Sequence, residues 1–578
     1  MVTRLVRRAA VSGPAGTGDW PAHVPPLLRR IYAARGAHDP DQARPKLAHL
    51  PPPGLMRGMD AATALLADAI ARDRHVLVVG DFDCDGATAC AVAVRGLRML
   101  GARRVSHAVP NRMVHGYGLS PGLVDALAPM APDLLVTVDH GIACHAGIAA
   151  ARARGWQVLV TDHHLPGATL PEADAIVDPN VPGDAFPSRM LAGVGVVFYV
   201  LLALRQRLRG SGGAAAREAD LSALLDLVAV GTVADLVPLD PCNRALVGAG
   251  LRRIRAGRAC PGVAALLTVA GRDAARCSAA DIGFGIAPRL NAAGRLEDMS
   301  LGIDCLLADD PAHARDAAAR LDAINRERRT VQAAMLEQAE AALAMALPTD
   351  AAGAGDPHAH VAYDPAWHPG VVGLVASRLK DRLHRPVVAF APAEPGSDSL
   401  RGSARSIPGF HVRDALATVD ARHPGLIDRF GGHAMAAGLS LPRENLEVFS
   451  AAFGRHAAAA LGPAHLQATL ETDGPLAPHE FDRRHAEWLR DGGPWGQGFP
   501  EPLFDGEFDL VDWRLVGERH LRLRVRCDGV SRPLDAIQFG GWHDAAPPAR
   551  MRLGFRLESD DYRGGDAIRL LVEHLEPA

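Results

Sequence analysis

Short apolar runs that end in acidic or imidazole side chains recur along the first half of the chain. His75-Val76-Leu77-Val78-Val79 runs into Gly80-Asp81-Phe82-Asp83-Cys84-Asp85-Gly86, and Leu134-Leu135-Val136-Thr137-Val138 runs into Asp139. Val158-Leu159-Val160-Thr161 ends in Asp162-His163-His164, and Thr232-Val233-Ala234 leads into Asp235. Such Val/Leu runs, bounded by Gly and Asp and separated by Ala/Leu-rich helical stretches, predict buried parallel strands of an open α/β sheet. Ligands of such sheets sit in the crevice outside the carboxyl ends of the strands. The acids and histidines are therefore expected to converge there although they are far apart in sequence.

The pattern changes several times along the chain. The first forty or so residues are rich in Pro, Gly and Arg and predict a short extension with one helix. Strand–helix alternation from about Leu55 to Asp240 marks a first α/β domain, and Asn291 to Arg329 is polar and helical. Pro311 to Leu347 predicts one long alanine-rich helix, broken by Pro348 and a loop from Thr349 to Asp356. A second α/β pattern follows: strand His360–Tyr363, helix Gly373–Leu383, strand Pro386–Phe390, closed by the glycine-rich Gly431–Gly438. Near the C-terminus Phe508–Leu515 and Leu521–Arg526 alternate with period two, as half-solvated antiparallel strands do. That second run sets Arg522, Arg524 and Arg526 on one face, a candidate for phosphate contact on a small β-barrel. The expected divisions are an N-terminal extension over 1–54, a first lobe over 55–300, a connecting helical segment over 301–348, a second lobe over 349–458 and a barrel over 459–578.

Composition narrows the class. With 578 residues the chain exceeds what one hydrophobic core supports. Hydrophobic content of 48% with 22% charged residues is ordinary for a globular protein. The arginine-rich start lacks a secretory pattern, and the longest apolar stretch, Leu191 to Leu204, is shorter than the ~20 residues that span a bilayer. Eight cysteines without a Cys-x-x-Cys pair point away from zinc ribbons and disulfide frameworks, so a reducing cytoplasm is expected. At a net charge of −4, nucleic-acid binding has to come from local basic surfaces.

A single Asp after a strand is ordinarily a helix cap or turn residue. The set is different. Asp81, Asp83 and Asp85 repel one another unless cations or backbone N–H groups neutralise them, and His163 and His164 add nitrogen ligands at a neighbouring strand end. Hard carboxylates mixed with imidazole suit Mn²⁺ or Mg²⁺, with a shared carboxylate able to bridge two ions. Gly431–Gly438 can bring backbone N–H groups and a helix N-terminus to a phosphate, with Gly432 and His433 alongside. Arg112, Arg289, Arg295 and Arg405 are candidate phosphate ligands because guanidinium grips phosphate bidentately. Tyr117, Trp367 and Phe410 are candidate base-stacking residues.

Taken together, Asp81–Gly86, Thr137-Val138-Asp139-His140-Gly141, Thr161-Asp162-His163-His164 and Gly231–Asp235 resemble the four blocks of the DHH phosphoesterases. Pro110-Asn111-Arg112 with Gly116–Ser120, Ala287–Arg295, His368–Gly373 and Gly431–Gly438 extend the resemblance to the RecJ-type exonucleases of that superfamily, from about residue 55 to the C-terminus. The resemblance implies two α/β lobes, of DHH and DHHA1 type, joined by a long helix, with a C-terminal OB-like nucleic-acid-binding β-barrel. It implies a single-strand-specific 5′→3′ exodeoxyribonuclease that releases 5′-mononucleotides by two-metal hydrolysis during DNA recombination and repair. Asp83, Asp85, Asp139, His163 and Asp235 would hold two Mn²⁺ or Mg²⁺ ions, Asp139 as the bridge. His164 would donate to the scissile phosphoryl oxygen, and Asp81 would shape the loop beside the catalytic set.

In the family's second domain the loop containing Ser403 and Arg405 would face phosphate. Implied partners are single-stranded DNA, single-strand-binding protein and a RecQ-like helicase, for a monomer with no membrane association. One departure stands out: many DHH proteins carry a histidine four residues before the first ligand aspartate, where this chain has Val79. Competing readings are a DHH phosphodiesterase for short RNA or cyclic dinucleotides, a catalytically silent DNA-binding replication scaffold, and a manganese pyrophosphatase. The long C-terminal tail counts against the first, the complete ligand set against the second, and chain length against the third.

Overall fold

Every residue of the run Val76–Gly80 is buried, Val76 and Val78 in one hydrophobic core and Leu77 and Val79 in another. A strand buried on both faces is what a continuous apolar run encodes. The computed structural model describes residues 3–8, 20–111, 114–346, 358–542 and 545–578. Counting from the N-terminal strand β1 (Arg4–Arg7), the run is β2 (Val76–Gly80). It is joined by β3 (Val105–Ala108), β4 (Leu134–Val138), β5 (Gln157–Thr161) and β6 (Ala175–Val177) in a parallel sheet of order β3-β2-β4-β5-β6. The chain passes from β2 outward to β3 and then returns to β4 on the other side of β2. That reversal is a topological switch point, and it opens a crevice at the carboxyl ends of β2 and β4.

One expectation is overturned here. Asp235 follows a helix, Leu225–Ala234, and not a strand. Leu225 to Thr232 is buried throughout, so the segment carries no amphipathic period and reads like a buried strand until its length is counted.

The chain forms two compact units, Arg8–Asn325 with Asp473–Ala578 and Met1–Arg7 with Arg326–Thr472. A 36-residue helix, Pro311–Ala346, runs from one into the other, about 54 Å at ~1.5 Å per residue. The predicted loop from Thr349 to Asp356 lies outside the described residues. In the smaller unit β7 (His360–Tyr363), β8 (Val387–Pro392), β9 (Ser399–Arg405), β10 (Arg429–Gly432) and β11 (Ala436–Pro442) form a mixed sheet of order β10-β11-β9-β8-β7. There β1 pairs in parallel with β12 (Thr469–Thr472). Gly431–Gly438 spans the β10–β11 hairpin, closed by His433 N–H donating to Ala436 O at 2.8 Å. No helix starts there, so the expected helix N-terminus is replaced by a turn in which glycine supplies backbone freedom (Gly432 φ +138°).

The larger unit also contains a closed barrel of β13 (Phe504–Val516), β14 (His520–Arg526), β15 (Leu534–Gln538), β16 (Arg550–Ser559) and β17 (Ile568–Pro577), in the order β13-β14-β15-β17-β16. Arg522, Arg524 and Arg526 do share the outer face, but Arg522 is bridged to Asp535 and Arg524 to Asp512, both at 3.3 Å. Two of the three cations are thus matched by neighbouring acids. Among the described residues no helix is long and apolar enough to cross a membrane.

Barrel and parallel sheet share one hydrophobic core, and the N-terminal segment helps to join them. Tyr32 is buried between Trp20 and Trp495, with ring centroids 5.8 and 5.9 Å away, and donates to Gly492 O at 2.8 Å. Arg35 holds Asp473 with two hydrogen bonds of 2.8 and 2.9 Å, and the guanidinium of Arg244 lies 4.1 Å over Phe499. Replacing Tyr32 by Ala removes that ring and its donor. Urea unfolding followed by tryptophan fluorescence should show a loss of about 3–5 kcal/mol, against about 1 kcal/mol for Tyr32→Phe, which forfeits only the hydrogen bond.

Candidate metal centre

The loop after β2 is fixed by caps. Asp83 precedes the helix Cys84–Met99, its Oδ1 accepting from Gly86 N–H at 3.0 Å, while Asn291 Oδ1 accepts from Cys84 N–H at 2.8 Å. Both bonds satisfy amides that a helix start leaves open. Asp85 stands in the first turn, and its carboxylate accepts from Gly193 N–H at 2.6 Å and Val194 N–H at 3.1 Å. Those amides open a second helix, Gly193–Gly210, so Asp85 sits at two helix N-termini, where partial positive charge favours an anion.

Asp139 follows β4 with φ +65°, a left-handed conformation that costs a non-glycine residue about 1–2 kcal/mol. A Cβ built at Gly193 would lie 2.5 Å from Asp139 Cβ, and one at Gly231 would lie 2.6 Å from Asp85 Oδ1. Only glycine lets these two helices press against the aspartates.

Convergence is close. His163 Nε2 lies 3.1 Å from Asp139 Oδ1 and 3.5 Å from Asp235 Oδ2. Both carboxylate oxygens are buried with no hydrogen-bond donor among the described residues. Ligand atoms of Asp85, His163 and Asp235 lie within 4.8 Å of one another, as do those of Asp81, Asp83 and Asp139, and those of Asp139, His163 and His164.

Burial pushes Asp85 up to about 7, helped by Asp83 and opposed by the two helix amides. Asp139 and Asp235 are also raised well above the carboxylate range, first by burial and then by Asp85 and Asp83. Without a cation these acids resist ionising together. Oxygen-rich ligands with one imidazole, buried acceptors lacking donors and mutual repulsion fit a hard divalent cation such as Mn²⁺ or Mg²⁺.

Asp162 does something else. Burial alone would raise it, but its oxygens accept from Ile142 N–H, His163 N–H, His164 N–H and His164 Nδ1–H at 2.7–3.1 Å, and it is held well below the usual range. His164 is correspondingly raised to about 9 despite its burial, through its bond to Asp162. Its Nε2 lies 3.5 Å from Tyr117 Oη. A histidine also reaches Val79 from the neighbouring strand end: His140 Nε2 is 3.0 Å from Val79 O, and burial lowers its pKa to about 4.

The candidate arginines fare differently. Arg289 is turned inward onto Asp322 Oδ1 at 2.9 Å and Gly285 O at 2.6 Å, so its guanidinium is committed to packing. Arg295 follows Asn291 by one turn on the helix Ala287–Leu296, on the side that meets the Phe82–Cys84 loop. Arg112 lies outside the described residues. Ser403, Arg405, Gly432 and His433 belong to the smaller unit. There Arg405 Nη1 donates to Ser403 Oγ at 2.9 Å beside Gly373, where a Cβ would come within 3.0 Å of both side chains. Trp367 and Phe410 are core residues, whereas Tyr117 is about half exposed (54%) and stacks edge-on to Phe82.

Sequence reasoning missed the roles of Asn291, Asp162 and the Gly193-Val194 amides. The first two stood inside quoted motifs, but nothing in a string shows which backbone amide a side chain will meet.

Comparison with known proteins agrees with this architecture. Residues 75–232 match the DHH family N-terminal domain, 356–458 the DHHA1 domain and 472–574 the RecJ OB domain. The single-stranded-DNA-specific exonuclease RecJ of Dickeya dadantii is 48% identical over 584 residues, covering all of both chains. Crystal structures of Thermus thermophilus RecJ are also similar. The complex with Mn²⁺ has a TM-score of 0.78 at 32% identity, covering 96% of this chain and 76% of that one. The complex with Mg²⁺ has a TM-score of 0.73 at 31% identity, covering 96% and 75%. By sequence over its whole length and by fold, the chain belongs to the RecJ family of single-stranded-DNA-specific exonucleases.

Proposed function

We propose that the protein is a metal-dependent exonuclease that degrades single-stranded DNA from its 5′ end to 5′-mononucleotides. The observation that carries the reading is the group of buried acids around His163 at the switch point, in a chain aligned end to end with a relative of that named activity. Asp85, His163 and Asp235 would hold one cation and Asp81, Asp83 and Asp139 the other; Asp139 and His163 each stand in two of the three groupings, and of the two only the carboxylate, with two oxygens, is suited to be shared. Cations bound there supply Lewis acidity at a phosphoryl oxygen and water of lowered pKa.

The protein's own part is orientation and charge. Asp162 fixes the His164 ring through Nδ1 and favours its protonated form, in which Nε2–H is a donor for a non-bridging phosphoryl oxygen. The helix starts at Cys84 and Gly193 hold the aspartates from behind and leave their remaining lone pairs to the crevice. Each unit has its own groups suited to phosphate: Arg295 in the larger, and Ser403 with Arg405 in the smaller. Arg289 is left out of the set because Asp322 already neutralises it.

Three outcomes are expected. With Mn²⁺ and 5′-labelled single-stranded DNA, labelled mononucleotide should be the first product; first release from a 3′ label would reverse the polarity, and release from dinucleotides alone would replace the substrate. Asp139→Asn should cut turnover by at least about 10³-fold, since cation stabilisation of the transition state is worth several kcal/mol. Turnover near wild type would remove Asp139 from the ligand set.

The third outcome concerns pH. Asp85, Asp139 and Asp235 keep protons in the folded state that they lose in the unfolded chain above about pH 4. Their stabilising contribution is therefore complete below that pH and fades as pH rises through about 7, the value for Asp85. The melting temperature of the metal-free protein should fall between pH 5 and 8, less steeply in Asp139→Asn, and Mn²⁺ should reverse the slope. A metal-free melting temperature that rises over this range in wild type would contradict the buried-acid account.

A further inference from the structure

We infer that the loop from Ser188 to Val194 is a strut that sets the spacing of the ligand set, with Asn180 and Asn243 as positioning residues acting through it. The inference rests on the metal-centre reading above. Asp85, His163 and Asp235 come from three separate stretches of chain, and each is tied to this one loop.

Asp85 is tied directly, through Gly193 N–H and Val194 N–H. His163 is tied through Asn180, whose Nδ2 donates to His163 O at 2.6 Å and to Arg189 O at 3.3 Å. Asp235 is tied through Asn243, whose Nδ2 donates to Met190 O at 2.5 Å and to Pro238 O at 2.9 Å, three residues beyond the ligand. Ser188 Oγ adds a bond to Asp240, which caps the helix carrying Asn243. Asp139 meets the same loop by contact, because its side chain lies against Gly193.

The two asparagines use one device: an amide nitrogen spends both hydrogens on two carbonyls from different segments. Among side chains of this size only a primary amide can do so. A carboxylate in its place would set its own oxygens against two carbonyl oxygens and push the segments apart. Asn243 is fully buried on the helix Pro241–Arg255, so water cannot substitute for its bonds. Amide–carbonyl bonds do not titrate near neutral pH and need no cation. The spacing of the three ligands is therefore set before any cation arrives, as a preorganised site requires.

The test is a Mn²⁺ titration of the full-length protein by calorimetry and electron paramagnetic resonance. Wild type should take up two equivalents and give the signal of a spin-coupled pair. Asn180→Asp and Asn243→Asp should each weaken Mn²⁺ binding about 10–100-fold, the usual effect of losing a partner that orients a ligand, and should lose the coupled signal. Asn445→Asp is the matched control. Asn445 Nδ2 donates to Gly425 O at 3.3 Å and Leu426 O at 3.1 Å in the smaller unit, and its replacement should leave Mn²⁺ binding unchanged. No Mn²⁺ uptake by wild type would overturn the metal-centre reading itself. Normal uptake and coupling in both strut variants, or equal weakening in all three, would overturn the strut alone. Should Asn243→Asp fail to fold, Asn180→Asp, in a half-buried loop, decides the matter by itself.

Discussion

Carboxylates crowded into a crevice from which water is largely excluded cannot all be charged unless something positive joins them. That constraint organises the larger unit. Asp85, Asp139 and Asp235 are raised first by burial and then by neighbouring acids, Asp83 acting on all three, while Asp162 escapes because four donors surround it. The fold supplies positive charge only in part, through the helix starts at Cys84 and Gly193. What remains is a demand for cations, and the sheet, its glycines and its second layer of amides serve to keep the acids together against their repulsion.

Two kinds of aspartate share the crevice, and their surroundings separate them. Asp162 has spent its lone pairs on three backbone amides, two of them its nearest neighbours in the chain, and one imidazole. It is a bracket for His164. Asp139 and Asp235 keep buried oxygens that meet no donor among the described residues. The residue type is the same and the chemistry is opposite, because the deciding variable is how many N–H groups the local backbone presents.

Much of this was legible in the string. Continuous apolar runs gave the strands, and the acid at the end of each gave the crevice, because a parallel sheet leaves its carboxyl edge open. Length and helical period gave the connecting helix, and period-two alternation gave the barrel hairpin. The misreadings have physical causes. The helix Leu225–Ala234 is buried all round from Leu225 to Thr232 and lacks the period that distinguishes a helix from a strand. Gly431–Gly438 is compatible with a helix N-terminus and with a tight hairpin, and pairing with β9 decided for the hairpin. The acidic partners of Arg289, Arg522 and Arg524 are 33, 13 and 12 residues away, a pairing that local spacing does not reveal. Asn180 and Asn243 carried no signal at all, since a donor shared between two carbonyls leaves no mark on composition or spacing.

The path of the backbone between the two units has a consequence for biosynthesis. The chain crosses from one unit to the other after Arg7, after Asn325 and after Thr472, so both are assembled from discontinuous stretches. Tyr32 and Arg35 emerge early from the ribosome, yet Trp495 and Asp473, their partners, follow more than four hundred residues later. At roughly 5–20 residues per second that delay is of the order of a minute in slow translation. For that interval the apolar flank of the catalytic lobe is uncovered, so a nascent chain offers chaperones a definite hydrophobic surface until the barrel seals it.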